Sequence, residues 1–191
     1  MPNGGIRSIA WELDNPAQVN RSSWTGRRQV VALPGATRWR AKVVLTPKMS
    51  EIEVLAWRAF LMQLRGQQNT FRLRAVEKSQ ITGVSPLVNG AGQSGYSLST
   101  DGWGAAGLKL VAGQFITIGD QLIPLGVDVV ANSSGQAVLT LDTRLRLSPA
   151  DNAAIEVSYP TAIMALASST ISWSVDPGRL YGFAFDAEEA F

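Results

Sequence analysis

Residues 37–46 read Thr37-Arg38-Trp39-Arg40-Ala41-Lys42-Val43-Val44-Leu45-Thr46. Trp39, Ala41, Val43 and Leu45 fall on one face, and Arg38, Arg40 and Lys42 on the other. This period of two marks a half-buried strand. The run Gln29 to Leu33 lies just before it, behind the turn signal Pro34-Gly35, and reads as its hairpin partner. Downstream, Ser50-Glu51-Ile52-Glu53 has the spacing of a capping box. Ile52, Leu55, Ala56, Ala59 and Met62 then recur as an apolar stripe, and Gly66 supplies a stop after Arg65. The pattern predicts a helix over 51–65. Thr70 to Ala75 alternates again, with Phe71, Leu73 and Ala75 inward and Arg72 and Arg74 outward.

Beyond this helix the composition changes. Residues 79–107 are rich in Gly, Ser, Thr and Asn and read as loop or very short strand. Short strands then recur at Leu108–Val111, Gln114–Ile118, Gln121–Leu125, Val127–Ala131, Ala137–Leu147 and Ala154–Tyr159, punctuated by Gly119-Asp120 and Ser134-Gly135. Such a series suits a small antiparallel barrel of the OB kind. Pro160 closes it. Ile171, Trp173 and Val175 then share a face, Asp176-Pro177-Gly178 turns the chain, and Tyr181, Phe183 and Phe185 follow. These aromatics match residues 24–75 better than the aliphatic middle. The fold class expected is therefore mainly β with a minor helical part. Residues 1–76 and 161–191 form a discontinuous split β-barrel or sandwich body with one helix, and 77–160 form an inserted OB-like antiparallel β-barrel. The acidic tail Asp186–Phe191 is expected to fray or to dock on a neighbour.

Composition narrows the chemistry. The 191 residues contain neither Cys nor His. Disulfides, thiolate nucleophiles, Cys/His zinc sites, Ser-His-Asp triads and imidazole bases are thereby excluded. No run of apolar residues is long enough to span a bilayer. Met-Pro-Asn-Gly-Gly at the start has neither a basic nor an apolar signal region, so synthesis in the cytoplasm is expected. Net charge is only +2, but residues 1–78 hold 13 basic and five acidic residues, and 79–191 hold four and ten. Oppositely charged parts can complement copies of the same chain head to tail, or neutralise each other within one copy.

The motifs offer little for catalysis. Gly90-Ala91-Gly92-Gln93-Ser94-Gly95 has the form of a dinucleotide fingerprint, but no helical pattern follows it, as that chemistry requires. Asp101, Asp120, Asp128 and Asp142 show no calcium-loop spacing. A carboxylate-only glycosidase needs no His, yet nothing in the spacing selects a pair. The basic face near Trp24 and Trp39 has the elements of a single-strand nucleic-acid site. Trp39 alternates into the core, however, and residues 76–160 are net acidic, so a protein interface or a solvated face fits better. Trp103, between Gly102 and Gly104, reads as an interface anchor, a sugar platform or a lid on the small barrel. No catalytic, metal or cofactor site is expected.

Several stretches resemble one family. Trp24-Thr25-Gly26, the strand around Trp39, Phe60-x-x-x-Leu64-Arg65-Gly66 and Asn69-Thr70-Phe71-Arg72-Leu73 are similar to the distal tail proteins of long-tailed phages and related gene-transfer particles. Gly102-Trp103, Leu110-x-x-Gly113-Gln114-x-Ile116-x-Ile118, Leu145-Arg146-x-Ser148-Pro149 and Pro160 look like the second domain of such proteins. The resemblance implies a non-enzymatic virion protein of the tail tip or baseplate, made in the host cytoplasm. Six copies would form a ring joining the tail tube protein to the hub and host-recognition apparatus, with DNA passing through the lumen unread and no membrane contact. Arg38, Arg40, Lys42, Arg72, Arg74, Trp103, Asp186, Glu188 and Glu189 are the candidate subunit-interface residues, the acidic tail pairing with the Arg faces of an adjacent copy. The alternative is a carbohydrate-binding module of a receptor-binding appendage, built around Trp103.

Overall fold

The computed structural model describes residues 2, 5–33, 35–47, 51–177 and 180–191. It is mainly β, 48% strand and 7% helical, with one helix among the described residues and antiparallel sheets. The chain divides into two compact units, residues 1–73 with 163–190, and residues 74–162 with Phe191.

The first unit opens with strands β1 (Ile6–Asp14), β2 (Ala17–Arg21), β3 (Arg28–Ala32) and β4 (Arg38–Leu45). Helix α1 (Glu51–Gln63) and strand β5 (Phe71–Arg74) follow. In β4 the alternation is realised residue for residue: Trp39, Ala41, Val43 and Leu45 are buried, and the residues between them are exposed. Its neighbours differ from expectation. β4 pairs with β1, whereas β3 pairs with β2 in a separate two-stranded sheet. β1 has its own period-two signal: Ile9, Trp11 and Leu13 are half-buried, and Ala10 and Glu12 between them are exposed. Pro34 and Gly178, in two of the turns read from sequence, and Ser50 of the capping box lie outside the described residues.

Helix α1 buries Val54, Trp57 and Leu61, and Leu64 follows just beyond it. That is not the face expected. Ile52, Leu55, Ala56, Ala59 and Met62 are exposed. The segment is apolar on two sides, and an indole buries more surface than any residue of the competing stripe, so the side bearing Trp57 turns inward. Glu51 and Glu53 occupy the first turn, where the helix dipole favours carboxylates. Arg65 and Gly66 then take positive φ (49° and 67°), and a Cβ on Gly66 would stand 3.0 Å from the Ser169 backbone. Only glycine fits there without a shift.

The second unit carries eight short strands: β6 (Leu87–Val88), β7 (Gly95–Asp101), β8 (Gly107–Leu110), β9 (Phe115–Ile118), β10 (Gln121–Pro124), β11 (Val129–Ala131), β12 (Ala137–Leu145) and β13 (Ile155–Glu156). They form sheets β12-β7-β6, β10-β9-β13 and β11-β8. No sheet closes into a barrel. The mainly β class is as expected, but among the described residues the barrel part of the expectation is not met by any closed sheet. Register breaks at Val129/Val130 and Thr140/Leu145 interrupt two of the ladders. Two isolated antiparallel bridges, Leu87–Ala154 and Leu125–Leu141, instead link the edges of the two three-stranded sheets. Leu98, Trp103, Leu110, Ile116, Ile123 and Leu139 pack in one core with ten further buried side chains.

The chain returns through β14 (Thr161–Leu166), β15 (Trp173–Asp176) and β16 (Leu180–Glu189). The main sheet runs β1-β4-β16-β14-β5, with β15 paired to β16. Aromatic edges link its core to α1: Trp57 meets Phe60, Phe60 meets Phe71, and Phe71 meets Phe185, with centroids 5.6–6.0 Å apart. Each such contact adds about 0.5–1.5 kcal/mol beyond area burial.

Candidate assembly surface

The interface residues read from sequence separate into two groups. Arg38, Arg40 and Lys42 stand on the outward face of β4, between the acids of two other strands. On one side Asp14 lies opposite Arg38 and Glu12 opposite Arg40. On the other, Asp186 lies opposite Lys42 and Glu188 opposite Arg40. Arg40 Nη2 is 2.9 Å from Asp14 Oδ2, and Lys42 Nζ is 3.7 Å from Glu12 Oε1. Acidic, basic and acidic strands thus run side by side. Both ion pairs are half-exposed, so each contributes less than about 1 kcal/mol and acts mainly on register.

This ladder corrects the expectation for the tail. Residues 186–189 do not fray; they complete β16, with Ala187 buried and Glu189 buried beside it. Glu189 Oε2 accepts a hydrogen bond from the Trp39 backbone N–H at 3.1 Å. Its carboxylate therefore faces inward and is not a surface group. The alternation Phe183, Phe185, Ala187 fixes that direction two residues further on. The return of β16 also dilutes the charge split. Residues 1–73 and 163–190 hold 12 basic and eight acidic residues, and 74–162 hold five and seven. The contrast of +8 and −6 along the sequence becomes +4 and −2 between units.

Trp103 is also withdrawn from the surface, at 0% exposure. Its Nε1–H donates to Thr100 Oγ1 at 2.7 Å, and that hydroxyl donates to the Ala137 carbonyl at 2.7 Å. Its backbone N–H donates to the Gly135 carbonyl at 3.0 Å. The flanking glycines permit close backbone approach: a Cβ on Gly102 would lie 2.6 Å from Ser85 O. Trp103 is a core residue of its own unit, leaving no ring face for a neighbour or a sugar. Arg72 and Arg74 do project from β5, with Arg74 4.7 Å over the Tyr159 ring.

Residues 17–33 form a continuous exposed span among the described residues. Every described side chain in this span is exposed, including both strands of the β2–β3 hairpin. Trp24, at the tip, is 95% exposed, and Val19, Val30, Val31 and Leu33 are open as well. The tip is held locally: the Ser22 N–H donates to Arg27 O at 2.9 Å, and the Gly26 N–H to Ser22 O at 3.0 Å. An isolated hairpin of this size is at best marginal in water. Sequence reading placed β3 against β4 and so missed this arm. The signal was present in Val19, Val30 and Val31, apolar residues among polar ones on both sides of a Trp-Thr-Gly turn.

The other motifs singled out in the sequence are engaged in local contacts. In the Gly90–Gly95 loop, Gln93 Nε2 donates to the Asn89, Gly90 and Ser99 carbonyls, and strand β7 follows directly. Asp128 Oδ1 accepts from the Ala112 N–H at 2.8 Å, a turn contact. No group of three metal-ligating side chains occurs among the described residues. A cleft of about 440 Å³ lies between Leu61, Ile171 and Phe185, with Asp186 as its one carboxylate. Another, of about 370 Å³, is lined by Asn89, Thr100, Asn132 and Gln136. It has no aromatic wall, and Asn132 Oδ1 already accepts from the Ser134 and Gln136 amides. No described helix is long and apolar enough to cross a membrane. No family model and no curated protein matches this chain.

Proposed function

We propose that this chain is a structural subunit of a phage-type tail tip. Six copies form a ring at the distal end of the tail tube and connect it to the hub and host-recognition apparatus. DNA crosses the lumen without being read. The observation that supports this reading best is the hairpin arm, residues 17–33, whose apolar side chains stand open in the single chain. Exposed apolar surface of this kind marks an interaction site. A sugar platform at Trp103 would need an open ring face, and this ring is enclosed.

The test is the mass of the full chain by light scattering and its shape in negative stain. Both are measured alone and with a tail-tube protein from the same genome. A six-fold ring in either sample is expected. A chain that stays monomeric in both overturns the reading.

A further inference from the structure

We infer that the β2–β3 arm of one copy docks on the outer face of helix α1 of the next. This deepens the ring reading and rests on it for its occupant. Among the described residues both surfaces are exposed, one basic and apolar and the other acidic and apolar. In the hairpin, Val19 lies opposite Val30 and Arg21 opposite Arg28, so these four side chains share one face. Two like charges directly across a ladder repel, and no acid is paired with either in the described ion pairs. An acidic partner would relieve that. On α1 the exposed stripe begins at Ile52, 81% open, and continues through Leu55 and Met62. Glu51, one turn before Leu55, flanks its head.

The spacings agree. From the Arg21–Arg28 pair to the Val19–Val30 pair is two residues of strand, about 7 Å. From Glu51 to Leu55 is four residues of helix, about 6 Å. An arm laid along the helix axis sets its arginines over Glu51 and its valines over Leu55, and Ala56 and Ala59 leave room for close approach. Each copy has one arm and one helix face, so the contact is head to tail and propagates until a ring closes.

The absence of native cysteine makes a clean test possible. Val30 and Leu55 are 50% and 51% exposed, so Val30→Cys and Leu55→Cys leave the fold intact. Mixing the two single variants under mild oxidation is expected to give covalent dimer at least about tenfold above either alone, because docking raises the local thiol concentration. The double variant should give a ladder of reducible multimers. Arg21→Glu with Arg28→Glu should lower the yield, and Glu51→Arg should restore it. A mixture no more cross-linked than its components overturns the contact, as does a double variant that yields only internally bridged monomer. Rings in negative stain without the mixed disulfide remove the arm–helix contact but leave the ring. Mixed disulfides in open chains that never close keep the contact and remove the ring.

Discussion

At Trp103 the backbone decides more than the side chain. The indole is held by Thr100 and covered by its own unit, while Gly102 must pass within contact of Ser85 O at φ +76°. Gly102→Ala is therefore expected to cost about 1–3 kcal/mol from backbone strain alone, before any clash. Trp103→Phe removes the Thr100 hydrogen bond and leaves a cavity where the fused indole ring sat in the core, costing about 1–3 kcal/mol. Urea unfolding of both variants measures these losses, and a Gly102→Ala protein as stable as the parent would contradict this account. Sequence reading found Trp103 because a Trp between glycines is unusual. Burial is not readable there from local sequence, because other members of the same core, Val88, Leu98 and Ala137 among them, lie in strands β6, β7 and β12, which pair across the unit. Glu189 was misread for a similar reason. An acid near a chain end looks solvated until its strand is placed against Trp39.

Among the elements, β4 was the most legible and α1 the most misleading. In β4 every second residue is polar, so only one face could turn inward. In α1 both candidate faces are apolar, and periodicity alone does not choose between them. The structure makes the choice testable. Trp57→Ala should cost about 3–5 kcal/mol in thermal or chemical unfolding. Ile52→Ser on the opposite side should change stability by no more than about 0.5 kcal/mol. Equal losses for the two would mean that the helix is rotated. The hidden partner of β4 was β16, 140 residues distant, a separation no local pattern reports. Deleting residues 186–191 removes the Ala187 and Glu188 pairings to both β4 and β14. That truncation is expected to make the first unit sensitive to proteolysis. Undiminished protection would show that the sheet closes without its central strand end. Arg40→Ala, by contrast, should cost less than about 1 kcal/mol, and less still at high salt.

On the scale of the whole molecule, the two units have separate cores, one aromatic and gathered on α1, the other aliphatic around Trp103. Residues 74–162 are expected to fold when produced alone and to unfold in urea in one cooperative step. A fragment without a cooperative transition would show that its core is incomplete by itself. The change from aromatic to aliphatic composition was visible in sequence. The separation of the chain's charges was visible too, but it misled, because linear distance ignores the return of β16.

The amide of Ala75 bonds the carbonyl of Pro160 at 2.8 Å, so the chain leaves and re-enters the first unit's sheet at adjacent points, on the neighbouring strands β5 and β14. To that sheet, everything between these two residues is equivalent to a loop with its ends already joined. The entropy of closing a loop grows only slowly with its length, and a folded insert holds its own ends together. The segment can thus be exchanged for a longer, shorter or unrelated one at a fixed pair of splice points, without re-registering a single strand of the host sheet. Variation in the insert would then leave the pairing of the host sheet unchanged.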